Sequence, residues 1–186
     1  SGNGSSWTTA WKTLGEALTA ARADEEAAAT WTIRVAQGSY CPGTTQEATF
    51  LIDVDSLQIY GGYAGLQGGS TPDSRNIGTF ETILPDLVPF TAPPVHVYHV
   101  VTIDDDIDDV DANGIPTTIL DGVTIKLGRA NGSGLNAGGG GIFSNEGEAL
   151  IRNCTLENNT ATSYGGGAYL LGSAAGDGDG MRLEAC

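Results

Sequence analysis

The stretch "NAGGGGIFSNEGEALIRNCTLENNTATSYGGGAYL", residues 136–170, says nearly the same thing twice. A glycine run leads into an aliphatic–aromatic pair at residues 139–143 and again at residues 165–169, an offset of 26. An alternating, Asn-rich segment lies between the two phrases, and no helical pattern follows either. A second alignment runs through the same region. "LDGVTI" (120–125) matches "IRNCTL" (151–156) at an offset of 31, and "IRNC" (151–154) matches "LEAC" (183–186) at an offset of 32. A period of about 20 to 50 residues marks a stacked or radial repeat. Each period here holds two or more short strands and no helix, which predicts a coil of strands with every turn lying on the one before.

In such a coil equivalent residues of successive turns sit about 4.8 Å apart. Leu120, Ile151 and Leu183 are expected to form one inward column, and Val123, Cys154 and Cys186 another. Glycine supplies positive φ where the backbone turns between sheets, and Asn tolerates the same left-handed conformation. Further strands are expected in "WTIRVAQGSY", "FLIDVDSLQIYGGY", "VHVYHVVTI" and "GMRLEAC", separated by Gly, Pro, Asn and Asp turns. One segment reads as helix. In residues 8–29, Trp11, Leu14, Leu18 and Ala21 recur at spacings of three and four. Thr8 or Thr9 is a candidate cap, and Thr13 with Glu16 offers a later capping box. Asp24, Glu25 and Glu26 sit badly near a helix C-terminus, which predicts fraying there.

Composition agrees with a turn-rich β chain. Of 186 residues, 28 are glycine, and only 17% are charged against 40% hydrophobic. The net charge of −15, from eight Lys and Arg against 23 Asp and Glu, repels phosphate backbones and anionic lipid. Nucleic-acid binding is therefore not expected. No run of about 18 apolar residues is present, so no membrane insertion is expected in this segment. Three cysteines without a CxxC pair fit neither a zinc site nor a disulfide framework, and Cys154 and Cys186 are expected to be packed thiols. Sequons stand at Asn3, Asn131, Asn153 and Asn158.

The order of phrases "NGSSWTTAWKTLGEAL", "IRVAQGSY", "IYGGYAG", "TILPD", "YHVVT", "TILDGVTIKLGRANG", "GGGIFSNEG", "IRNCTLENNTA" and "GGGAY" resembles secreted bacterial right-handed parallel β-helix proteins. It is similar in particular to cell-surface proteins with polymorphic-outer-membrane-protein-like repeats. The resemblance covers almost the whole chain. It implies an all-β fold: a right-handed parallel β-helix, or solenoid, with an N-terminal capping α-helix. Residues 1–30 would form the capping segment and residues 31–186 the β-helix coils, continuing beyond this stretch. It also implies an extracellular or cell-surface location. Physics supports the cap, because a solenoid end exposes apolar core and unpaired strand edges unless something covers it. An open C-terminal coil would meet other subunits or the rest of its own chain.

The function expected is that of a non-enzymatic extracellular structural or adhesive protein, an adhesin or envelope scaffold. The alternative is a polysaccharide-binding or polysaccharide-degrading β-helix protein of lyase or hydrolase type. Tyr60, Tyr63, Tyr164 and Tyr169 would form a sugar platform if they face one groove. Candidate catalytic groups are few. The glycine run at residues 138–141 lacks the Lys-Ser/Thr of a phosphate loop. His96 and His99, three apart in a predicted strand, point to opposite faces and cannot share a metal. Asp53 with Asp55 and Asp104 with Asp106 alternate along strands, but no base partner marks either pair.

The acidic run "DDDIDDVDANGIP", residues 104–116, holds six acids within eight residues. Asp109, Asp111, Asn113 and Gly114 match the opening of a calcium loop: three oxygen ligands turned to one point, then a glycine bend. Position twelve is Leu120 rather than a bidentate Glu, so a complete EF-hand is not expected, and a solvated acidic corner is the competing reading. Titration calorimetry separates the two. A calcium site of the extracellular-module type gives heat at about 0.1–1 mM that Asp111→Ala abolishes; a solvated corner gives none.

Overall fold

A computed structural model describes residues 2–24, 30–67, 71–86, 96–104, 110–172 and 181–186. Among them are one α-helix, α1 (Leu14–Ala23), and fifteen short strands. In chain order these are β1 (Thr32–Ala36), β2 (Gly38–Ser39), β3 (Phe50–Ile52), β4 (Gln58–Tyr63), β5 (Thr82–Pro85), β6 (Val101–Ile103), β7 (Ile119–Asp121) and β8 (Thr124–Lys126). They continue as β9 (Arg129–Ala130), β10 (Ile142–Asn145), β11 (Leu150–Arg152), β12 (Thr155–Glu157), β13 (Thr160–Ala161), β14 (Ala168–Leu171) and β15 (Arg182–Glu184). The fold is all-β apart from the helix, and its sheets are parallel.

Three larger sheets have the orders β1-β4-β7-β11-β15, β3-β6-β10-β14 and β2-β5-β8-β12, and β9 pairs with β13. Along the chain, strands are delivered to these sheets in the same rotation, so neighbours in a sheet come from successive passes. The registers reproduce the offsets read in the sequence. Leu120 faces Ile151 and Ile151 faces Leu183. Ile142 and Phe143 face Ala168 and Tyr169.

Stacked equivalents make the core. Ile33, Ile59, Leu120 and Ile151 form a buried column in the first sheet. Phe50, Val101 and Ile142 form one in the second. Leu84 and Ile125 do so in the third. All belong to a single hydrophobic cluster. On the last strands apolar side chains come to the surface: Leu183, at the end of the first column, is 43% exposed, and Leu170, in register with Ser144, is 38% exposed. The expected column of Val123, Cys154 and Cys186 is buried at its first two members and exposed at Cys186. None of the three cysteines is in a disulfide, and burial pushes the Cys154 thiol up to about 12.

The corners explain the glycine and Asn phrases. Gly122, Asn153 and Ala185, each just past the first sheet, all have positive φ, as do Leu127 and Asn158 beyond the third. Gly139 and Gly165 have φ of 72° and 47° ahead of β10 and β14. Between them the backbones touch. A Cβ on Gly140 would lie 2.3 Å from the Thr160 carbonyl oxygen, and one on Gly141 would lie 2.4 Å from that of Gly167. The glycine run is therefore required by close approach between passes. Asn159 adds a side-chain tie: its Oδ1 accepts from Gly128 N–H at 3.0 Å, and its Nδ2 donates to the Ile125 carbonyl at 3.0 Å.

The helix begins at the later of the expected caps, the capping box, and not at Thr8 or Thr9, which lie in a separate short turn. Thr13 Oγ1 accepts from Glu16 N–H, and Glu16 reaches back to Thr13 N–H. Leu14, Ala17, Leu18 and Ala21 are buried. Trp11, expected on that helical face, stands ahead of the helix and is half-buried against the core instead. Asp24 caps the C-terminus through its N–H to Ala21, while Glu25 and Glu26 lie outside the described residues. Arg22 clamps the last turn to the end of β3: its Nε and Nη2 each donate to the Asp53 carboxylate at 2.6 Å.

Five strands, β5, β9, β10, β13 and β14, were not among those predicted. β5, β10 and β14 are four residues each and pair through backbone where alternation is too short to read. The predicted strand over residues 95–103 reduces to β6, so His96 and His99 precede it. No helix among the described residues is long and apolar enough to cross a membrane.

Burial along one column sets a stability contrast. Ile151→Ala removes a fully buried side chain flanked on both sides and is expected to cost about 2–5 kcal/mol. Leu183→Ala, at the exposed end of the same column, is expected to cost below about 1 kcal/mol. Urea unfolding of the two variants against the parent checks the difference.

Candidate functional site

All three tryptophans of the chain lie within its first 31 residues, and all three line one cleft of about 900 Å³. The N-terminal segment forms one wall, α1 and β1 the floor, and the turn at residues 64–67 the far side. Leu14, Ala17, Ile33 and Val35 make the floor apolar. Trp7, Trp11, Trp31 and Tyr40 are half-buried around it.

Local chemistry fixes each ring. Trp7 sits in a short 3-10 turn (Trp7–Thr9), and its indole Nε1 donates to Asp73 Oδ1 at 3.0 Å. The same ring lies 5.8 Å from that of Tyr63. Trp11 covers Gly4, where a Cβ would lie 2.1 Å from the indole and φ is +72°. Gly4 therefore serves both turn and contact. Gly4 N–H and Asn3 N–H donate to the Thr9 carbonyl, closing the segment into a loop. Trp31 enters through β1, its carbonyl accepting from Gln58 N–H.

The rim is polar. Arg34 Nη1 donates to Asp73 Oδ1 at 2.9 Å, with both side chains more than half exposed. The Arg34 guanidinium also lies 5.9 Å from the Tyr63 ring centroid. Gln37 donates through Nε2 to the Ala64 carbonyl, and Tyr40 through its hydroxyl to the Ala36 carbonyl. Burial pushes the Tyr40 hydroxyl up, so it stays a neutral donor. The cleft thus combines flat apolar faces with a planar guanidinium–carboxylate pair, an arrangement suited to binding rather than to proton transfer.

From Arg34 at the cleft rim, the outer face of the first sheet carries a register column of Arg34, Tyr60, Asp121, Arg152 and Glu184. Asp121 is its centre. Arg75 Nη2 and Arg152 Nε donate to its two oxygens at 2.7 and 2.6 Å, and Asn153 adds a third bond. Arg75 also lies over the rings of Tyr60 and Tyr63. Burial pushes the Asp121 carboxyl up, but the bonds from Arg75, Arg152 and Asn153 outweigh it and hold it below the ordinary carboxylate value. Arg152 is thereby committed to an ion pair.

A buried acid–imidazole pair was not foreseen. Asp86, at the end of β5, is fully buried and pairs through Oδ2 with His96 Nδ1. Its Oδ1 has no hydrogen-bond partner among the described residues. Burial pushes this carboxyl up, with His96 opposing. Burial and then the Asp86 charge push the nearby Cys41 thiol up as well. A nucleophilic cysteine needs the reverse. His99 instead faces the Gly139 carbonyl and stacks on Phe143 at 4.8 Å, so the two histidines are held apart.

The tyrosines divide between two places. Tyr60 and Tyr63 lie on β4, whereas Tyr164 stacks on Tyr169 at 5.0 Å beside β14. They form no common platform; the aromatic surface belongs to the tryptophans. Of the calcium-loop residues, Asp111 and Asn113 form a tight turn: Asp111 Oδ1 accepts from Asn113 N–H at 2.8 Å and Ile115 N–H at 3.0 Å. Those amides, Ile115's first, hold the Asp111 carboxyl below its ordinary value. Arg182 donates to the Gly114 carbonyl in the same turn. Asp109 lies outside the described residues. No group of three His, Cys, Asp or Glu side chains gathers as a metal site among the described residues.

No family model, curated protein or solved structure matches the chain.

Asp121 links the outer column to pH. Its folded-state carboxyl binds a proton less tightly than the unfolded chain's does. Its contribution is therefore present above the ordinary carboxylate value and is lost as pH falls through that value toward the folded one. Asp121→Asn is expected to cost about 2 kcal/mol at neutral pH, the scale of lost charge-assisted bonds, and to flatten the loss of stability below about pH 4. Thermal melts of parent and variant across pH 2–7 check both effects.

Proposed function

We propose that this chain is a right-handed parallel β-helix serving as a non-enzymatic structural or adhesive element outside a bacterial cell, akin to proteins with polymorphic-outer-membrane-protein-like repeats. The adhesive contact is the tryptophan-lined cleft at its helix-covered end. The observation that carries the reading is the register. Parallel strands from successive passes stack equivalent residues into shared columns, and α1 lies across one end of the cluster. Such a body is repetitive, with loops free to vary, which suits a scaffold.

The state of the ionisable groups supports a non-catalytic role. Asp121 is held by two arginines, and Cys41 is kept protonated. At the other end, the exposed Leu170 and Leu183 and the outer edges of β14 and β15, each paired on one side only among the described residues, would accept further strands, from the rest of its own chain or from another subunit.

Surface labelling tests the reading. An antibody against this segment is expected to stain intact, unpermeabilised cells, and deletion of the gene is expected to reduce attachment without changing growth on polysaccharides. Staining confined to permeabilised cells overturns the location. A growth defect on a polysaccharide with attachment unchanged overturns the adhesive role in favour of a degradative one.

A further inference from the structure

We infer that the cleft between the N-terminal segment and β1 binds an uncharged glycan, a chain of pyranose rings laid on the tryptophan faces. This deepens the adhesive reading and rests on it for the cleft's biological role.

Four observations converge on that ligand. The first is aromatic placement. Trp7, Trp11, Trp31 and Tyr40 border one concave space while each stays half-buried, so ring surface remains open to a ligand. A pyranose presents a flat patch of C–H groups on its face, which packs on an indole as an apolar surface. The second is the polar rim. Arg34 and Asp73 are bonded to each other at one carboxylate oxygen, Oδ1, which also accepts from Trp7. Among the described residues, Asp73 Oδ2 and the remaining Arg34 N–H groups take no hydrogen bond. Adjacent sugar hydroxyls, each both donor and acceptor, match such a planar donor–acceptor pair.

The third observation is size. A cleft of about 900 Å³ lies at the upper end of the range of roughly 300–1,000 Å³ for small-molecule sites. The fourth is charge. With a net charge of −15, uronate or sulfated chains are repelled, whereas neutral sugars meet no such barrier.

The placement supplies its own probe. Because the chain has no tryptophan elsewhere, its intrinsic indole fluorescence reports the cleft alone. The experiment screens the folded segment on an array of neutral and acidic glycans. Hits are titrated by fluorescence with cello-, manno-, xylo- and chito-oligosaccharides, and with oligogalacturonate and heparin fragments. Saturable binding to at least one neutral oligosaccharide is expected, weakened at least about tenfold by Trp7→Ala, the scale of a hot-spot aromatic. Asp73→Asn, on an exposed rim, is expected to leave the melting temperature in place and weaken binding as well; it keeps the test decisive if Trp7→Ala fails to fold. Tyr164→Ala, an exposed aromatic beside another sheet, is expected to change nothing.

A flat response across the neutral panel, or binding that survives both cleft variants, overturns the inference. Binding confined to the acidic oligosaccharides overturns the ligand class while leaving the cleft as the contact. Neutral-glycan binding lost in the variants while whole-cell attachment stays unchanged upholds the site and overturns the adhesive role.

Discussion

Strands of two to six residues cannot hold themselves, so every one of them depends on backbone hydrogen bonds to a strand one pass away along the chain. That constraint organises the molecule. A parallel pair of three residues closes few bonds, but each inner strand is paired on both sides, and its side chains fall on equivalent side chains. Ile151 is buried because Leu120 and Leu183 lie in register on either side of it. The aliphatic columns and the outer column through Asp121 are two faces of the same register. Shifting one strand by one residue would exchange them, placing Asp121 in the core and Leu120 in water. Burial and ion pairing therefore select the same alignment.

The N-terminal end answers a different need. A stack of parallel strands has no intrinsic stop, and the first strand would leave both apolar side chains and one row of backbone groups unpaired. Helix α1 places four buried residues against the cluster and is anchored by Arg22 to Asp53. The segment before it folds back through Gly4 and Trp11 to meet β1 and Asp73. A structural closure thus brings aromatic rings together at a surface. The cleft follows from how the end is covered.

Much of this was legible in residue order. The columns of Leu120, Ile151 and Leu183 could be read because equivalent positions repeat the same chemistry at a near-constant offset. Thr13 and Glu16 marked the helix start because a capping box is local. Asn153 and the paired Gly139 and Gly165 announced corners through their tolerance of positive φ. What escaped was contact between distant segments of unlike sequence. Trp7, Trp31 and Asp73 share no period, and only folding makes them neighbours. Trp11 looked helical by spacing, yet the capping box starts the helix three residues later, at Leu14, and leaves Trp11 on the approach. Asp86 and His96 are ten residues apart with no pattern joining them. β10 and β14 were hidden by the glycines beside them, whose role is to let backbones touch.

The spacing between paired strands is strikingly uneven for so regular a register. Gln58 pairs with Ile119, 61 positions on, whereas Ile119 pairs with Leu150 only 31 positions on. Both steps deliver the strand to the same place in the first sheet. Pairing thus counts rungs, not residues, and the connections between rungs are free to lengthen. Since closing a longer loop costs only slowly increasing entropy, a doubling of length adds about 0.6 kcal/mol. A chain built this way accepts inserted peptides between rungs much as a ladder accepts attachments on its rails. Sequence variation, whether arising in nature or by grafting, can therefore accumulate at its corners while its spine stays fixed.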